Sequence, residues 1–242
     1  MKLKTMNNYF SGKKFLFALL FVIPLMFAAC KKSDSGQSTP VAGLMAFNLI
    51  PSNASIGIDL SGSLLSNSPL LYTNYTGTYL NVYPGQRSVT TFNAATNASL
   101  AVTSFNFEPN KYYSVFALGK DSNYTDLVVN DELDTLTSAS GQAYIRYVNA
   151  IPDSSTSTVT VSSNNEPVIT NSSKYASISE FKGVTPGDFS VSISNGSSIN
   201  ASRTVTLEKN KVYTVLLVGI PGETDTTRSV QIKYIANGTL TP

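Results

Sequence analysis

An all-β fold built as two tandem β-sandwich domains is predicted by three observations on this chain of 242 residues. The sequence repeats itself once, with matching segments 100 to 102 positions apart. Apolar and polar residues alternate in short runs bounded by turn residues, the period of half-buried strands. No segment after residue 40 sustains the 3.6-residue period of an amphipathic helix.

The N-terminal region divides into zones. Residues 1–14 carry Lys2, Lys4, Lys13 and Lys14 and no acid, and residues 15–29, "FLFALLFVIPLMFAA", are uncharged and apolar. Small residues, Ala28 and Ala29, precede the single cysteine, Cys30. A basic segment, a short apolar run and a small-residue cleavage site together predict a secretory signal over residues 1–29. An apolar run of this length, interrupted by Pro24, is shorter than the ~20 residues of a spanning helix.

Small residues followed by a cysteine resemble the lipobox of bacterial lipoproteins. That resemblance implies cleavage before Cys30, diacylglyceryl transfer to its thiol and acylation of the new N-terminus. A cysteine suits this chemistry because its thiolate is a good nucleophile. Several acyl chains hold firmly because each buried CH₂ adds about 0.8 kcal/mol. The address so implied is a bacterial membrane, the outer one, on its periplasmic or cell-surface side.

Charge follows from the same cut. The whole chain is +2, but four of its seventeen basic residues precede Cys30, so the remainder holds 13 basic and 15 acidic residues. A net charge of −2 leaves no basic footprint for nucleic acid. With Cys30 lipidated no disulfide is possible, and stability must come from packed cores. Residues 30–42 read as a lipidated, polar tether reaching roughly 20 Å. Its "KKSDS" resembles in part the surface-export signal of Bacteroidota lipoproteins.

The repeat then sets the domains. "NLIPS" at 48–52 returns as "NAIPD" at 149–153, "LNVYPGQRSV" at 80–89 as "KGVTPGDFSV" at 182–191, and "NKYYSVFALG" at 110–119 as "NKVYTVLLVG" at 210–219. Residues 43–138 are expected to form the first sandwich and 139–242 the second. "DFSVSISN" puts Phe189, Val191 and Ile193 on one face, and "RTVTL" does the same with Val205 and Leu207. "VYTVLLV", 212–218, is apolar on both faces and suits a central strand. Pro84-Gly85 and Pro186-Gly187 have the residue order of type II turns.

The opening "YIRYVNAIPDS" (144–154), the later V-x-PG-x-F-S-V and the NK-x-Y-T-V-L-L-V-G strand resemble the family of domain of unknown function 4397. The resemblance covers both repeats and implies immunoglobulin-like or transthyretin-like sandwich modules, often on lipoproteins. It implies no catalytic residue.

Chemistry is bounded by what is missing. There is no histidine, which excludes Ser-His-Asp and Cys-His nucleophilic sites and zinc sites built on these residues. No metal or cofactor is expected, and no enzyme. Ser179 and Lys182 form an S-x-x-K pair, but in a strand-like segment where the helical spacing has no purpose. Asp126, Asp131, Glu132 and Asp134 make the densest acidic stretch and read as the solvated end of the first domain. Tyr113 and Tyr213 sit at equivalent places and are expected to be structural, each hydroxyl bonded back to a nearby turn. Tyr72, Tyr75, Tyr79 and Tyr83 are the candidate binding residues. At an offset of 102 they face Lys174, Ser177, Phe181 and Thr185, an aromatic excess in the first repeat that could stack on a sugar or a protein. The expected function is a non-enzymatic binding or structural module of the cell envelope. Its partners are the membrane, through the lipid, and a glycan or envelope protein. The alternative is an accessory glycan-binding lipoprotein of a polysaccharide-uptake system.

Overall fold

A computed structural model describes residues 39–52 and 55–241. The expected signal segment and Cys30 lie outside the described residues. Residues 40–242 belong to one compact unit, and among the described residues the only helical turn is the three-residue Leu133–Thr135.

The first repeat holds β1 (Ala42–Asn48), β2 (Ser55–Leu60), β3 (Ser63–Leu64), β4 (Leu70–Leu71), β5 (Leu80–Val82), β6 (Gly85–Asn93), β7 (Ser99–Phe107), β8 (Tyr112–Lys120) and β9 (Asn123–Asn130). The second holds β10 (Ala143–Asn149), β11 (Ser157–Ser163), β12 (Glu166–Ser173), β13 (Lys182–Val184), β14 (Gly187–Ser194), β15 (Asn200–Leu207), β16 (Lys211–Val218) and β17 (Gln231–Thr239). Each repeat forms two sheets. The inner sheets run β5-β1-β8-β9 and β13-β10-β16-β17, and the outer ones β3-β2-β6-β7, with β4 beside β2, and β12-β11-β14-β15.

Both inner sheets centre on a parallel pair, β1 with β8 and β10 with β16. Such strands are covered on both faces and so read as near-continuous apolar runs. The pleat sends alternate side chains to opposite faces, and here both faces are dry. Leu44, Ala46, Val115 and Ala117 join Ile56, Val89 and Phe107 inside the first sandwich. Ile145, Tyr147, Val215 and Leu217 join Val159, Phe189, Val191 and Ile193 inside the second. The other faces, with Met45, Phe47, Phe116, Leu118, Val148, Leu216 and Val218, pack on one another as a third core. The fold is therefore four sheets deep, with a seam between the inner pair. Burying a side chain such as Phe47 or Leu216 contributes roughly 1.5–3 kcal/mol.

The expected tyrosine anchors are present. The amide of Glu108 donates to the Tyr113 hydroxyl at 3.0 Å, and that of Glu208 to the Tyr213 hydroxyl at 3.1 Å. The proline-glycine pairs depart from the type II reading. Gly85 (φ 101°) and Gly187 (φ 148°) each open a strand. The chain there leaves β5 or β13 in an inner sheet and enters β6 or β14 in an outer one. Positive φ lets the backbone turn from sheet to sheet where a side chain would resist.

Candidate functional site

The most distinctive chemistry lies in the seam. Alternation along β1 and β8 turns Met45 and Ser114 to the seam, side by side in register. Alternation along β10 and β16 does the same for Arg146 and Thr214. Asp131 follows β9, and its amide donates to the carbonyl of Tyr112.

Arg146 and Asp131 form an ion pair at 2.7 Å, with side chains 3% and 0% exposed. Arg146 Nε donates to Thr214 Oγ1 and Nη2 to Ser114 Oγ, both at 3.0 Å. The guanidinium lies over the Phe181 ring at 4.3 Å. Asp131 Oδ2 accepts from the Ser114 hydroxyl at 2.7 Å and from the Tyr79 hydroxyl at 2.6 Å. Thr214 donates to Asn237 Oδ1 at 2.7 Å, and Asn237 Nδ2 donates to the Tyr79 hydroxyl at 3.3 Å. Two buried charges are tolerable only when paired and hydrogen-bonded in this way. Burial, and next the Asp131 carboxylate, hold the Tyr79 phenol far above its ordinary pKa of 10. It stays a proton donor to that carboxylate.

A cleft of about 260 Å³ opens onto this pair, bordered by Ile178, Ser179, Glu180 and Phe181. Three nitrogens of Arg146 are engaged by Asp131, Ser114 and Thr214. The pair is thus arranged to hold two sheets together.

The four candidate tyrosines do not share one face. Tyr72, Tyr75 and Tyr79 pack against the seam core, whereas Tyr83 is 67% exposed. Tyr75 stacks on Phe47 with ring centroids 5.5 Å apart, and Tyr79 meets Tyr112 edge-on at 5.0 Å. Gly43 makes that meeting possible: a Cβ there would lie 2.6 Å from the Tyr112 ring and 3.2 Å from Tyr79 Cβ. Burial pushes the Tyr72 hydroxyl up to about 12.

The aromatic excess is smaller than a fixed offset suggests. Thr73 and Ala176 make the same bond, amide to the carbonyls of Asn48 and Asn149. Tyr72 therefore matches Tyr175, one place beyond Lys174, and Tyr75 matches Ile178 through the equivalent bridges to Phe47 and Val148. Only after a one-residue gap does Tyr79 match Phe181. Packing across the seam explains the pattern.

The acidic stretch is also redistributed. Asp134 pairs with Lys111 at 2.6 Å on the surface and Glu132 is exposed, but Asp126 and Asp131 are buried. Asp126 accepts from the Thr91 hydroxyl at 2.7 Å inside the first sandwich, and desolvation raises its pKa to about 6. Ser179 and Lys182 are not a catalytic pair. The Ser179 hydroxyl accepts from the amide of Tyr147, while Lys182 Nζ donates to the carbonyl of Val168. Arg146 is the site residue that composition and spacing overlooked. Its signal was a lone charge inside the apolar run "AYIRYVNA".

Two overlapping matches to the profile of the DUF4397 family, described as a domain of unknown function, cover residues 42–156 and 143–235. The chain belongs to the DUF4397 family. No curated protein matches the sequence. Solved structures similar in part include a candidate cell adhesion protein of Bacteroides fragilis NCTC 9343, at 10% identity and TM-score 0.23, covering 79% of this chain and 86% of that one. Another, from Bacteroides eggerthii DSM 20697, has 8% identity and TM-score 0.25, with coverage of 83% and 96%. A third, from Parabacteroides distasonis ATCC 8503, has 9% identity and TM-score 0.21, with coverage of 82% and 100%. Among the described residues of this DUF4397 chain, no helix is long and apolar enough to cross a membrane.

Proposed function

We infer that this protein is a lipid-anchored, non-enzymatic module of the bacterial cell envelope, a rigid double sandwich carried on acylated Cys30. The observation that carries this reading is the apolar segment ending in Ala28-Ala29-Cys30, followed by a polar stretch and then the paired sandwiches. The seam supports the mechanical part. Its one buried ion pair is consumed in joining the sheets, so the charged chemistry serves rigidity rather than turnover.

Replacement of Cys30 by serine tests the anchor. The expected result is transfer of the protein from the membrane fraction to the soluble fraction, with loss of the acyl mass from the mature chain. Retention of Cys30→Ser protein in the membrane would overturn it. Protease treatment of intact cells then distinguishes a periplasmic from a surface-facing module.

A further inference from the structure

The two seam faces follow one plan and carry opposite chemistry. By strand register, Met45 of the first repeat is equivalent to Arg146 of the second, and Ser114 to Thr214. Asp131 is equivalent to Asn237, since each follows the residue paired with Tyr113 or Tyr213. Tyr79 is equivalent to Phe181. Each repeat prepares its own charge: the second sets Arg146 between Thr214 and the Phe181 ring, the first sets Asp131 between the Ser114 and Tyr79 hydroxyls. The ion pair and the Arg146–Ser114 bond then cross the seam, as does Asn237 to Tyr79 and, at 3.9 Å, to Met45 Sδ.

We propose that the seam is a heterotypic recognition surface: a first repeat pairs with a second repeat and rejects its own kind, and the outside partner that fits either face is the complementary repeat of a second copy of this chain. Two first repeats placed face to face would bury two Asp131 carboxylates beside Met45, with no cation. Two second repeats would bury two Arg146 guanidiniums with only the neutral Asn237 opposite. An uncompensated buried charge is strongly unfavourable, and such penalties against the wrong partner are how interfaces select the right one. The apolar remainder, Phe47 and Phe116 of the first repeat with Leu216 and Val218 of the second, supplies the burial of the seam, and the two charges penalise the wrong pairing.

The test starts from the full chain with a protease recognition sequence inserted between Ala139 and Ser140, both exposed in the connection between repeats. The folded protein is cut, mixed with cut, isotope-labelled protein, unfolded in denaturant and refolded together. Native mass spectrometry then counts the pairs. The expected result is first-with-second pairs only, with the labels scrambled. The double variant Arg146→Met with Asp131→Asn gives each repeat the residue that its counterpart already holds. It is expected to raise the share of like-with-like pairs at least tenfold. Like pairs equally abundant in both proteins would overturn the proposal, as would a double variant that forms mixed pairs alone. Halves that fail to refold or to pair, under conditions where the uncut chain refolds, would also overturn it, because the seam would then be an internal core and not a recognition surface.

Discussion

Arg146 and Asp131 show how little a buried charge tolerates editing. Arg146→Met leaves a buried carboxylate without its cation, held only by the Ser114 and Tyr79 hydroxyls, and the expected loss is about 3–5 kcal/mol in chemical denaturation. Adding Asp131→Asn should recover most of it, since the counter-charge then has nothing to compensate. Asp126 offers a second residue-scale prediction, with a definite sign. Its folded pKa of about 6 lies above the ordinary 3.8. Below pH 3.8 the acid is protonated whether the chain is folded or not, so it imposes no penalty. As pH rises from there through 6, the unfolded chain releases its proton first and stability falls, by on the order of 3 kcal/mol for a shift of this size. Asp126→Asn mimics the protonated acid. It should flatten the stability profile between pH 4 and 6.5 and raise the melting temperature at pH 7.5. An unchanged profile would show that another group titrates there. Tyr213→Phe removes the acceptor of the Glu208 amide and should lower stability by about 1–3 kcal/mol.

At the scale of elements, the strands legible in the sequence were those with the strongest physical constraint. β14 and β15 bury one face, so Phe189, Val191, Ile193, Val205 and Leu207 alternate cleanly. β16 is buried on both faces and loses the alternation. That loss carried a message beyond "central strand": a strand apolar on both sides needs two covers, and the second cover is the other repeat. Neither the seam nor Arg146 was legible as such, because a single-strand pattern reports burial without naming what lies across. The proline-glycine corners were misread for a related reason. Residue order specifies permitted φ values, but it does not say whether the chain returns to its own sheet or departs for the next. Gly219 shows the backbone constraint at its tightest. It sits at φ 113°, and a Cβ there would fall on the Ser229 carbonyl. Gly219→Ala should therefore shift or unpair the Ile220–Ser229 bridge. Faster amide exchange at Ile220, whose N–H donates to the Arg228 carbonyl at 2.8 Å, is the measurement that checks it.

For the whole molecule, three cores in series join what the repeat divided. The seam core makes each sandwich a part of the other's interior, so calorimetry of the intact chain should show one cooperative transition. Phe116→Ala empties a fully buried seam position and should lower stability by about 3–5 kcal/mol. It should also split that transition in two as the sandwiches begin to melt separately. A single sharpened peak would argue that the sandwiches never were separable units.

The parallel pairing of the first strand with the eighth, and of the tenth with the sixteenth, also sets a timetable. Each inner sheet closes only when partners roughly seventy residues apart in sequence meet, and long-range pairings of this kind belong to folds that assemble in milliseconds to seconds. A chain emerging from its N-terminus thus exposes Leu44, Met45 and Phe47 until Val115 and Phe116 have followed. It stays unpaired for most of a repeat's synthesis, with an apolar strand edge open until its distant partner arrives.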